Sequence, residues 1–369
     1  MKILHTESSM HWGGQEFRTL LEHNYLNGHQ HESYLMCHPD SKLYTKAIDS
    51  GAKNIIAINL SRTWRLDIAW RIASFCKSEK INVINSHSTR DSTLCSLAYL
   101  LGIPLIRSRQ ITNPIKKIFA YKHCCSHIIA AADTIKKILV DAGVDQHKIT
   151  VIGEGVDLQE FNPNIDSTYL KSEFDLQNGD KVITNIGMIR ADKGQKFFLD
   201  AAIGILKLRS DVKFFLVGEA TAASKTYASE LADIIEQHKI GQHFIMTGYR
   251  NDVAAFIHLS DLIVVASTGT EAQSRIVPQS FATSKTVVTT NVGGLTELVL
   301  NEINGLVVPP QDSASMSSAI LRLLDDNGLK HKFETAAYAM ALDQLSFELM
   351  MNKTTKLYSQ LTSTPCPKI

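Results

Sequence analysis

Short apolar segments alternate with longer amphipathic segments along the chain, and this alternation restricts the fold more than any other feature. In the first half, the apolar segments predicted to be strands lie at 2–6, 33–38, 55–60, 83–87, 104–109, 128–132 and 149–152. The segments with helical spacing lie at 15–27, 66–80, 92–101, 114–124 and 134–142. Strands and helices in regular alternation are typical of βαβ units, which build a parallel sheet covered by helices.

The same pattern begins again after a turn-rich segment at 155–164. The second set of predicted strands lies at 181–186, 213–217, 244–247, 262–266, 286–290 and 305–308. The second set of predicted helices lies at 195–208, 228–238, 272–281, 296–300, 314–324 and 332–342. At 369 residues the chain is longer than a typical single domain.

We therefore predict an α/β protein of two Rossmann-like, doubly wound domains, 1–164 and 165–345. A closing helix is predicted over 346–361, packing back on the first domain, and a frayed tail over 362–369.

Composition describes an ordinary soluble protein, with 44% hydrophobic residues, 20% charged residues and a net charge of +1. A charge this small argues against a nucleic-acid partner. The six cysteines form no Cys-x-x-Cys pair, so we expect reduced, buried thiols and a cytoplasmic protein. We also expect no signal peptide, and no apolar run reaches the ~20 residues that span a membrane.

Two predicted strands of the second half are followed by residues suited to binding a diphosphate. After 181–186 the chain breaks at Gly187, presents Arg190 and Lys193, and enters a helix. Free amide groups at a helix start, together with cations, neutralise phosphate oxygens. After 262–266 come small polar residues and then Glu271. A solvated charged loop is the plain alternative for Arg190 and Lys193.

A third such turn is Gly293-Gly294, which leads into another predicted helix. Without side chains to block the approach, its amide groups would face outward and cradle a second phosphate. A tight turn before a helix is the alternative explanation for the same two glycines.

These segments, in this order, resemble the retaining glycosyltransferases of family 4, whose GT-B fold has two facing Rossmann-like domains. The resemblance covers nearly the whole chain and rests on 12–16, 85–88, 155–157, 187–194, 217–219, 248–252, Glu271 with Gln279, and 293–297. The chain departs from the family in two places. Met188 stands where an arginine is usual, with Arg190 as its substitute, and Gln279 stands where a second glutamate is usual.

The resemblance implies transfer of a sugar from a UDP- or GDP-sugar, with the anomeric configuration retained. It places the donor's diphosphate on Lys193, Arg190 and the turn at Gly293 and Gly294, its sugar on Glu271 and its ribose on Gln279. Tyr249 and Arg250 would flank the base. No cofactor or metal is expected, since the chain has no Asp-x-Asp sequence of the kind that holds a divalent ion.

In the first half, the resemblance implies that Gly13 and Gly14 let the backbone approach the donor phosphates. His87 would position the sugar or the acceptor, and it joins Glu271 and Lys193 as the predicted catalytic residues. Arg107 and Arg109 would line the acceptor side, with surface ion pairs as the alternative.

The expected acceptor is a glycan or a lipid-linked sugar of bacterial lipopolysaccharide or polysaccharide synthesis. The cations and aromatics at 113–122 would give the protein a peripheral contact with the cytoplasmic face of the inner membrane. An ordinary amphipathic helix is the alternative for this segment. Two other functions remain open at this point, a sugar-nucleotide epimerase and a non-catalytic partner that binds sugar nucleotide or glycan.

Overall fold

The structure, a computed structural model, describes residues 1–115, 118–269 and 271–363. It divides into two compact units: unit 1 is Met1–Gly153 with the C-terminal segment from Met350, and unit 2 is Glu154–Leu349. The division falls before the predicted boundary at residue 164. The reason is that Val156 N–H donates to the Leu345 carbonyl (2.8 Å) and Phe347 N–H donates to the Val156 carbonyl (2.8 Å), which ties this linker to unit 2.

Unit 1 contains a parallel sheet in the order β3-β2-β1-β4-β5-β6-β7. Its strands are β1 (Lys2–Glu7), β2 (Glu32–Cys37), β3 (Ile55–Ala57), β4 (Val83–Ser86), β5 (Leu105–Arg109), β6 (His127–Ala130) and β7 (Ile149–Val151). The central strands are buried, as expected for a parallel sheet covered on both faces, and their apolar residues give way to buried polar ones toward their carboxyl ends.

The helices between these strands are α1 (Gly14–Gly28), α2 (Lys42–Asp49), α3 (Leu66–Ser78), α4 (Thr89–Leu94), α5 (Ser96–Leu100), α6 (Ile118–His123) and α7 (Asp133–Asp141). Helix α2 was not predicted from the sequence. One helix was predicted over 92–101, where the structure has α4 and α5.

Unit 2 contains a second parallel sheet, in the order β10-β9-β8-β11-β12-β13. Its strands are β8 (Lys181–Ile186), β9 (Val212–Val217), β10 (Phe244–Gly248), β11 (Leu262–Val265), β12 (Val287–Thr290) and β13 (Gly305–Val308). The two structural predictions of an α/β class and of two Rossmann-like sheets are confirmed.

The remaining helices are α8 (Thr168–Glu173), α9 (Gln195–Leu206), α10 (Lys225–Gln237), α11 (Val253–Leu259), α12 (Ile276–Ala282), α13 (Leu295–Leu298), α14 (Ser313–Asp325), α15 (Asn327–Gln344) and α16 (Phe347–Ser363). Phe198 of α9 and Ile320 of α14 pack in one hydrophobic core of unit 2. Phe281 of α12 and Ala337 of α15 pack in another.

Helix α16 carries a buried tyrosine into unit 1, where Asn85 Nδ2 donates to the hydroxyl of Tyr358 (2.8 Å). The predicted tail lies outside the described residues from 364 onward. None of the helices in the described part of the chain has an apolar stretch long enough to cross a bilayer.

The described cysteines are free thiols, and Cys37, Cys76, Cys95 and Cys125 are buried. Burial raises the pKa of Cys37 and of Cys76 to about 12, so both thiols stay protonated at neutral pH. Cys366 lies outside the described residues.

Both sheets reverse their strand order once, between β1 and β4 in unit 1 and between β8 and β11 in unit 2. Ligands of doubly wound sheets bind at the carboxyl ends of the strands beside such a reversal. The loops after β1, β4, β8 and β11 are therefore where a site is expected.

Candidate active site

The loops that follow β8 and β11 pack backbone against backbone. Gly194 has φ +70°, and a Cβ atom there would lie 1.8 Å from the carbonyl oxygen of Ala266. Thr268 N–H donates to the Asp192 carbonyl (2.9 Å). Only glycine fits this contact, so Gly194 sets how closely the two predicted ligand loops approach each other.

This approach brings the predicted cation and carboxylate into direct contact. Lys193 Nζ lies 2.6 Å from Glu271 Oε2, and Ser267 Oγ donates to the same oxygen at 2.8 Å. Glu271 is buried, with 8% of its surface exposed, while the side chain of Lys193 is 27% exposed. The carboxylate is therefore held in place on the inner side of a cation that still reaches solvent.

The Gly293-Gly294 turn holds the backbone of the same glutamate. Gly293 has φ +54°, and a Cβ atom there would lie 1.8 Å from the carbonyl oxygen of Glu271. Gly294 N–H donates to that oxygen at 3.1 Å. The expectation that the amides of this turn face outward is therefore wrong for Gly294, because its N–H is used to position Glu271.

Arg190 is paired within its own loop. Its Nε donates to Asp192 Oδ1 at 2.9 Å, and Nη2 contacts the other carboxylate oxygen. This guanidinium lowers the pKa of the Asp192 carboxyl below its ordinary value. The positive charge of Arg190 is thus balanced two residues away, and its side chain remains partly exposed.

Gln195, the first residue of α9, is 1% exposed and was not predicted from the sequence as a site residue. Its Nε2 donates to the Met188 carbonyl at 2.9 Å, and its Oε1 accepts from Arg190 N–H at 3.4 Å. Gln195 therefore ties the start of the helix to the loop that precedes it. A polar residue at the start of an otherwise apolar helix was the available signal.

The side chain of Arg250 is occupied by two carboxylates. Nε lies 2.9 Å from Asp252 Oδ1 and Nη1 lies 2.6 Å from Glu173 Oε1, with the guanidinium 5.1 Å from the ring centre of Phe256. These bonds raise the pKa of Arg250 above its ordinary value. The neighbouring Tyr249 is 60% exposed and is the member of the predicted base-flanking pair that is free to meet a ligand.

Gln279 lies in α12 and is buried, with 8% of its surface exposed. Its backbone continues the helix, donating to the Arg275 carbonyl at 3.2 Å. Its side-chain amide forms no hydrogen bond with any residue that the structure describes. A buried amide without a protein partner is available to a ligand.

In unit 1, His87 follows β4 and is buried. Its Nε2 lies 2.9 Å from His5 Nδ1, and the two rings stack with centres 5.2 Å apart. Burial holds the pKa of His87 well below its ordinary value and lowers that of His5 to about 3, so both rings are neutral at pH 7. The pairing of His5 with His87 was not predicted from the sequence.

One group of described residues, His5, Glu22 and His87, has ligand atoms within 4.8 Å of one another, as a metal site requires. However, Arg18 Nε donates to Glu22 Oε1 at 2.7 Å, and both residues are buried. This guanidinium takes one oxygen of the Glu22 carboxylate, whereas Glu22 Oε2, His5 Nε2 and His87 Nδ1 are buried without a hydrogen-bond partner among the described residues.

Gly13 and Gly14 stand where α1 begins, after the loop that follows β1. Gly13 caps the helix in an extended conformation (φ −155°) that any residue adopts, and a Cβ atom there would meet its nearest atom, Glu16 Oε2, at 3.4 Å. Packing among the described residues therefore does not require glycine at 13.

Arg107 and Arg109 are buried, with 2% and 6% of their surfaces exposed. The alternative of surface ion pairs is therefore wrong for both. Together with His87 they line a cavity of about 240 Å³ at the carboxyl ends of the unit 1 strands. Of the predicted amphipathic segment, Lys116 and Lys117 lie outside the described residues, Phe119 is exposed and Tyr121 is buried against the arginines.

Two protein-family models match successive parts of the chain. The model described as Glycosyltransferase Family 4 matches residues 12–160, and the model described as Glycosyl transferases group 1 matches residues 166–340. The chain is a GT-B glycosyltransferase.

Relatives of this glycosyltransferase include bacterial sugar transferases. The Escherichia coli UDP-Gal:alpha-D-GlcNAc-diphosphoundecaprenol alpha-1,3-galactosyltransferase is 26% identical over 352 residues, which cover 89% of each chain. The lipopolysaccharide core biosynthesis mannosyltransferase LpsB of Rhizobium meliloti is 29% identical over 179 residues, covering 48% of this chain and 51% of the relative.

Solved structures share the fold over nearly the whole length. A glycosyltransferase from Rickettsia africae has a TM-score of 0.90 at 21% identity, covering 98% of both chains. HepE of Anabaena in complex with UDP has a TM-score of 0.88 at 18% identity, covering 98% of this chain and 100% of HepE.

Proposed function

We propose that this glycosyltransferase moves a sugar from a nucleoside-diphosphate sugar to a hydroxyl of a glycan or lipid-linked acceptor, with retention and without a metal ion. The observation that carries the proposal is the contact between Lys193 and Glu271 at the strand-order reversal of unit 2. In this proposal unit 2 holds the donor and unit 1 holds the acceptor.

Lys193 stabilises the leaving diphosphate. An ammonium has three N–H donors, and Glu271 takes one of them. The others remain for phosphate oxygens, so the donor adds to the ion pair and does not have to break it. Because the diphosphate gains negative charge as the glycosidic bond breaks, this cation stabilises the transition state more than the ground state.

Glu271 and His87 position the reacting groups. Glu271, held by Ser267 and the turn at Gly293, accepts hydrogen bonds from hydroxyls of the donor sugar. Neutral His87 orients the acceptor hydroxyl or a sugar hydroxyl by hydrogen bonding. The acceptor oxygen bonds to the anomeric carbon on the face from which the diphosphate departs, and its proton passes to that diphosphate.

The names of the relatives support the substrate classes. The E. coli relative is named for a UDP-galactose donor and a sugar diphosphoundecaprenol acceptor, and LpsB for the lipopolysaccharide core. HepE was solved with UDP and with UDP-glucose. UDP-sugars are thus the first donors to test, and synthesis of a bacterial lipopolysaccharide or polysaccharide in the cytoplasm is the proposed setting.

The test of this function is a thermal-shift screen with UDP-, GDP- and ADP-sugars, because a ligand of the native state raises its melting temperature. Lys193→Ala should lose the shift that the parent protein shows. Lys196 is an exposed lysine that pairs with Asp200, so Lys196→Ala is the matched control and should keep the thermal shift. A shift of equal size in the Lys193 variant would remove the diphosphate role from Lys193.

Turnover assays address the chemistry. We expect nucleoside diphosphate to be released with acceptor present and in excess EDTA, and the product anomer to match the donor anomer by NMR. An epimerase would convert the donor without acceptor. Activity that EDTA abolishes and Mg²⁺ restores, or an inverted product, would refute the corresponding part of the proposal.

Peripheral contact with the inner membrane is part of the proposal. Trp64, Leu66 and Trp70 are 68%, 81% and 62% exposed, and Arg62 lies 5.6 Å from the ring of Trp64. Exposed tryptophans beside cations suit a membrane interface. The protein should sediment with vesicles containing anionic phosphatidylglycerol, and Trp64→Ser with Trp70→Ser should reduce this. Equal sedimentation of parent and variant would exclude this surface.

A further inference from the structure

The cavity of unit 1 is lined by three arginines, and its lining includes no aspartate or glutamate among the described residues. It lies beside the strand-order reversal of that sheet, with His87 following β4 and Arg107 and Arg109 on β5. The two β5 arginines are buried, whereas the third, Arg90, is exposed.

Arg107 is a buried cation that forms no ion pair with any residue the structure describes. Its Nε and Nη1 atoms are inaccessible to solvent and have no hydrogen-bond partner in the described part of the chain. Its guanidinium lies 4.2 Å from the ring centre of Tyr121, which is the interaction the structure provides for it. Burying a charge without a partner costs several kcal/mol, so a protein that keeps one gains something from it elsewhere.

Further unpaired nitrogen atoms belong to residues that line the same cavity. Arg109 donates to the Tyr121 hydroxyl (3.0 Å) and to the Asn113 carbonyl, but its Nε has no partner among the described residues. Gln110 Nε2 and His87 Nδ1 are likewise buried and unpaired within the described residues. The four side chains that carry these unpaired nitrogen atoms all belong to residues that line the same cavity.

Two buried acids of unit 1, Glu7 and Asp91, do not pair with these arginines. Glu7 binds Gln15 (2.5 Å) and contacts Ser88, while Asp91 accepts from Thr6 (2.8 Å) and Ser8 (3.1 Å). Their carboxyl groups are thus engaged by hydroxyl, amide and backbone groups, and the cavity keeps an excess of cationic donors.

We propose that Arg107, Arg109 and Gln110 form an anion site that binds a negatively charged group of the acceptor, a phosphate or a carboxylate. A guanidinium fork matches either group, since both offer two oxygens in one plane. This inference rests on the proposed function, because it assigns unit 1 to the acceptor. It adds that the acceptor is an anion and that its charged group binds close to His87.

The size of the cavity agrees with this assignment. At about 240 Å³ it is smaller than the ~300–1,000 Å³ of pockets that enclose a whole ligand. It therefore holds one charged group of the acceptor and not the entire molecule. The donor's diphosphate already has Lys193 in unit 2, so an anion site in unit 1 is an additional site.

Calorimetric titration of the full chain tests the proposal. The protein is first saturated with UDP to fill the donor site, and is then titrated with inorganic phosphate, with glucuronate or with neutral methyl glucoside at constant ionic strength. The parent should bind phosphate or glucuronate, and whichever binds more tightly identifies the charged group. Arg107→Met should weaken that binding by at least about tenfold, whereas Arg71→Met, an exposed matched control, should not change it.

Failure of this inference is distinguishable from failure of the proposed function. If the parent does not bind UDP, the donor assignment fails. If UDP binds but neither anion does, if methyl glucoside binds as tightly as the anions, or if Arg107→Met binds them as the parent does, the anion site is refuted.

Melting temperature supplies a second readout. Removing an uncompensated buried charge should leave ligand-free Arg107→Met as stable as the parent or more so. A fall in melting temperature with unchanged anion affinity would assign Arg107 a purely structural role and overturn the proposal. If the methionine variant does not fold, Arg107→Lys keeps the charge but not the fork, and should bind phosphate more weakly than the parent; equal binding would refute the proposal.

Discussion

Lys193 Nζ lies 2.6 Å from Glu271 Oε2, although the two residues are 78 positions apart in the chain. The contact exists because β8 and β11 are neighbours in the sheet, so that the loops after them leave from the same edge. Gly194 lets these two loops touch, and Gly293 lets its turn reach the backbone of Glu271.

Loss of either charge of this pair should reduce transfer strongly. We expect Lys193→Ala to lower kcat by more than about tenfold, because the leaving diphosphate loses its cation. Glu271→Ala should nearly abolish transfer while the fold remains intact by circular dichroism. Steady-state rates with a UDP-sugar measure both effects, with Lys196→Ala as the control. Near-normal rates would remove the residue concerned from the mechanism.

Gly293→Ala should disturb Glu271 without touching its side chain. The added Cβ atom would lie 1.8 Å from the Glu271 carbonyl oxygen at a φ of +54°, which an L-residue adopts with strain. We expect a loss of about 1–3 kcal/mol in the free energy of unfolding and a lower kcat.

Gly204→Ala provides the comparison for that variant. Gly204 lies inside α9, where a Cβ atom would make an ordinary contact with Ser317 Oγ at 3.6 Å. This alanine should stabilise the protein by roughly 0.5–1 kcal/mol and leave activity unchanged. If both variants have the same urea-unfolding free energy and the same turnover, the close approach of Gly293 to the Glu271 carbonyl oxygen does not affect function.

Gln279→Glu should be tolerated and should tighten binding of UDP. The side-chain amide of Gln279 has no partner among the described residues, and a carboxylate would accept hydrogen bonds from both ribose hydroxyls with a gain of ~1–2 kcal/mol. Gln279→Ala should weaken binding. Calorimetry with UDP measures both changes, and an inactive Gln279→Glu enzyme would contradict the ribose role.

Acid should destabilise the protein through its buried histidines. Burial lowers the pKa of His5 to about 3 and that of His87 well below its ordinary value, so below about pH 6.5 the unfolded chain binds protons that the folded chain does not. The stability that these two neutral rings contribute is therefore complete above pH 6.5 and falls as pH decreases, by up to about 1.4 kcal/mol per pH unit for each histidine.

Other groups around these rings contribute to the same profile. His23 acts in the same direction, because burial lowers its pKa to about 4. Glu7 and Asp91 act in the opposite direction, since burial raises the pKa of each and the folded chain takes up their protons first. The ion pair of Arg18 and Glu22 also faces His5.

A His5→Gln variant isolates the contribution of His5. Its free energy of unfolding should depend less steeply on pH between 6.5 and 5 than that of the parent, and histidine NMR signals of the parent should show no titration of His5 or His87 in this range. His11→Gln, which changes an exposed histidine, should leave the slope unchanged. Equal slopes for all three proteins would mean that His5 is not buried in its neutral form.

Much of the fold could be predicted because its signals are local. Apolar runs such as Lys181–Ile186 and Leu262–Val265 lie where strands were expected, since a strand buried on both faces needs consecutive apolar residues. Short helices such as α2 and α11 escaped prediction, because seven or eight residues carry too little periodicity to separate them from loops.

The candidate site was predicted in part. Lys193, Glu271 and Gly293 were recognised from their motifs, and they do lie together. The motifs did not show that the amide of Gly294 serves Glu271, that Arg250 is held by Glu173, or that His5 bonds to His87. Each of these contacts joins residues from different elements, and no spacing rule in a sequence predicts such a partner.

By itself, the sequence determined two parallel sheets and the residues available at the ends of their strands, because strand and helix periodicity depend on near neighbours along the chain. Only the tertiary structure decided which of those residues are paired and which are not. Among the described residues Lys193 pairs with a carboxylate and Arg107 pairs with none, although both are cations beside a strand-order reversal. The reason is physical: burial and charge compensation depend on what the folded chain brings within a few ångströms, and strand order alone sets which loops meet.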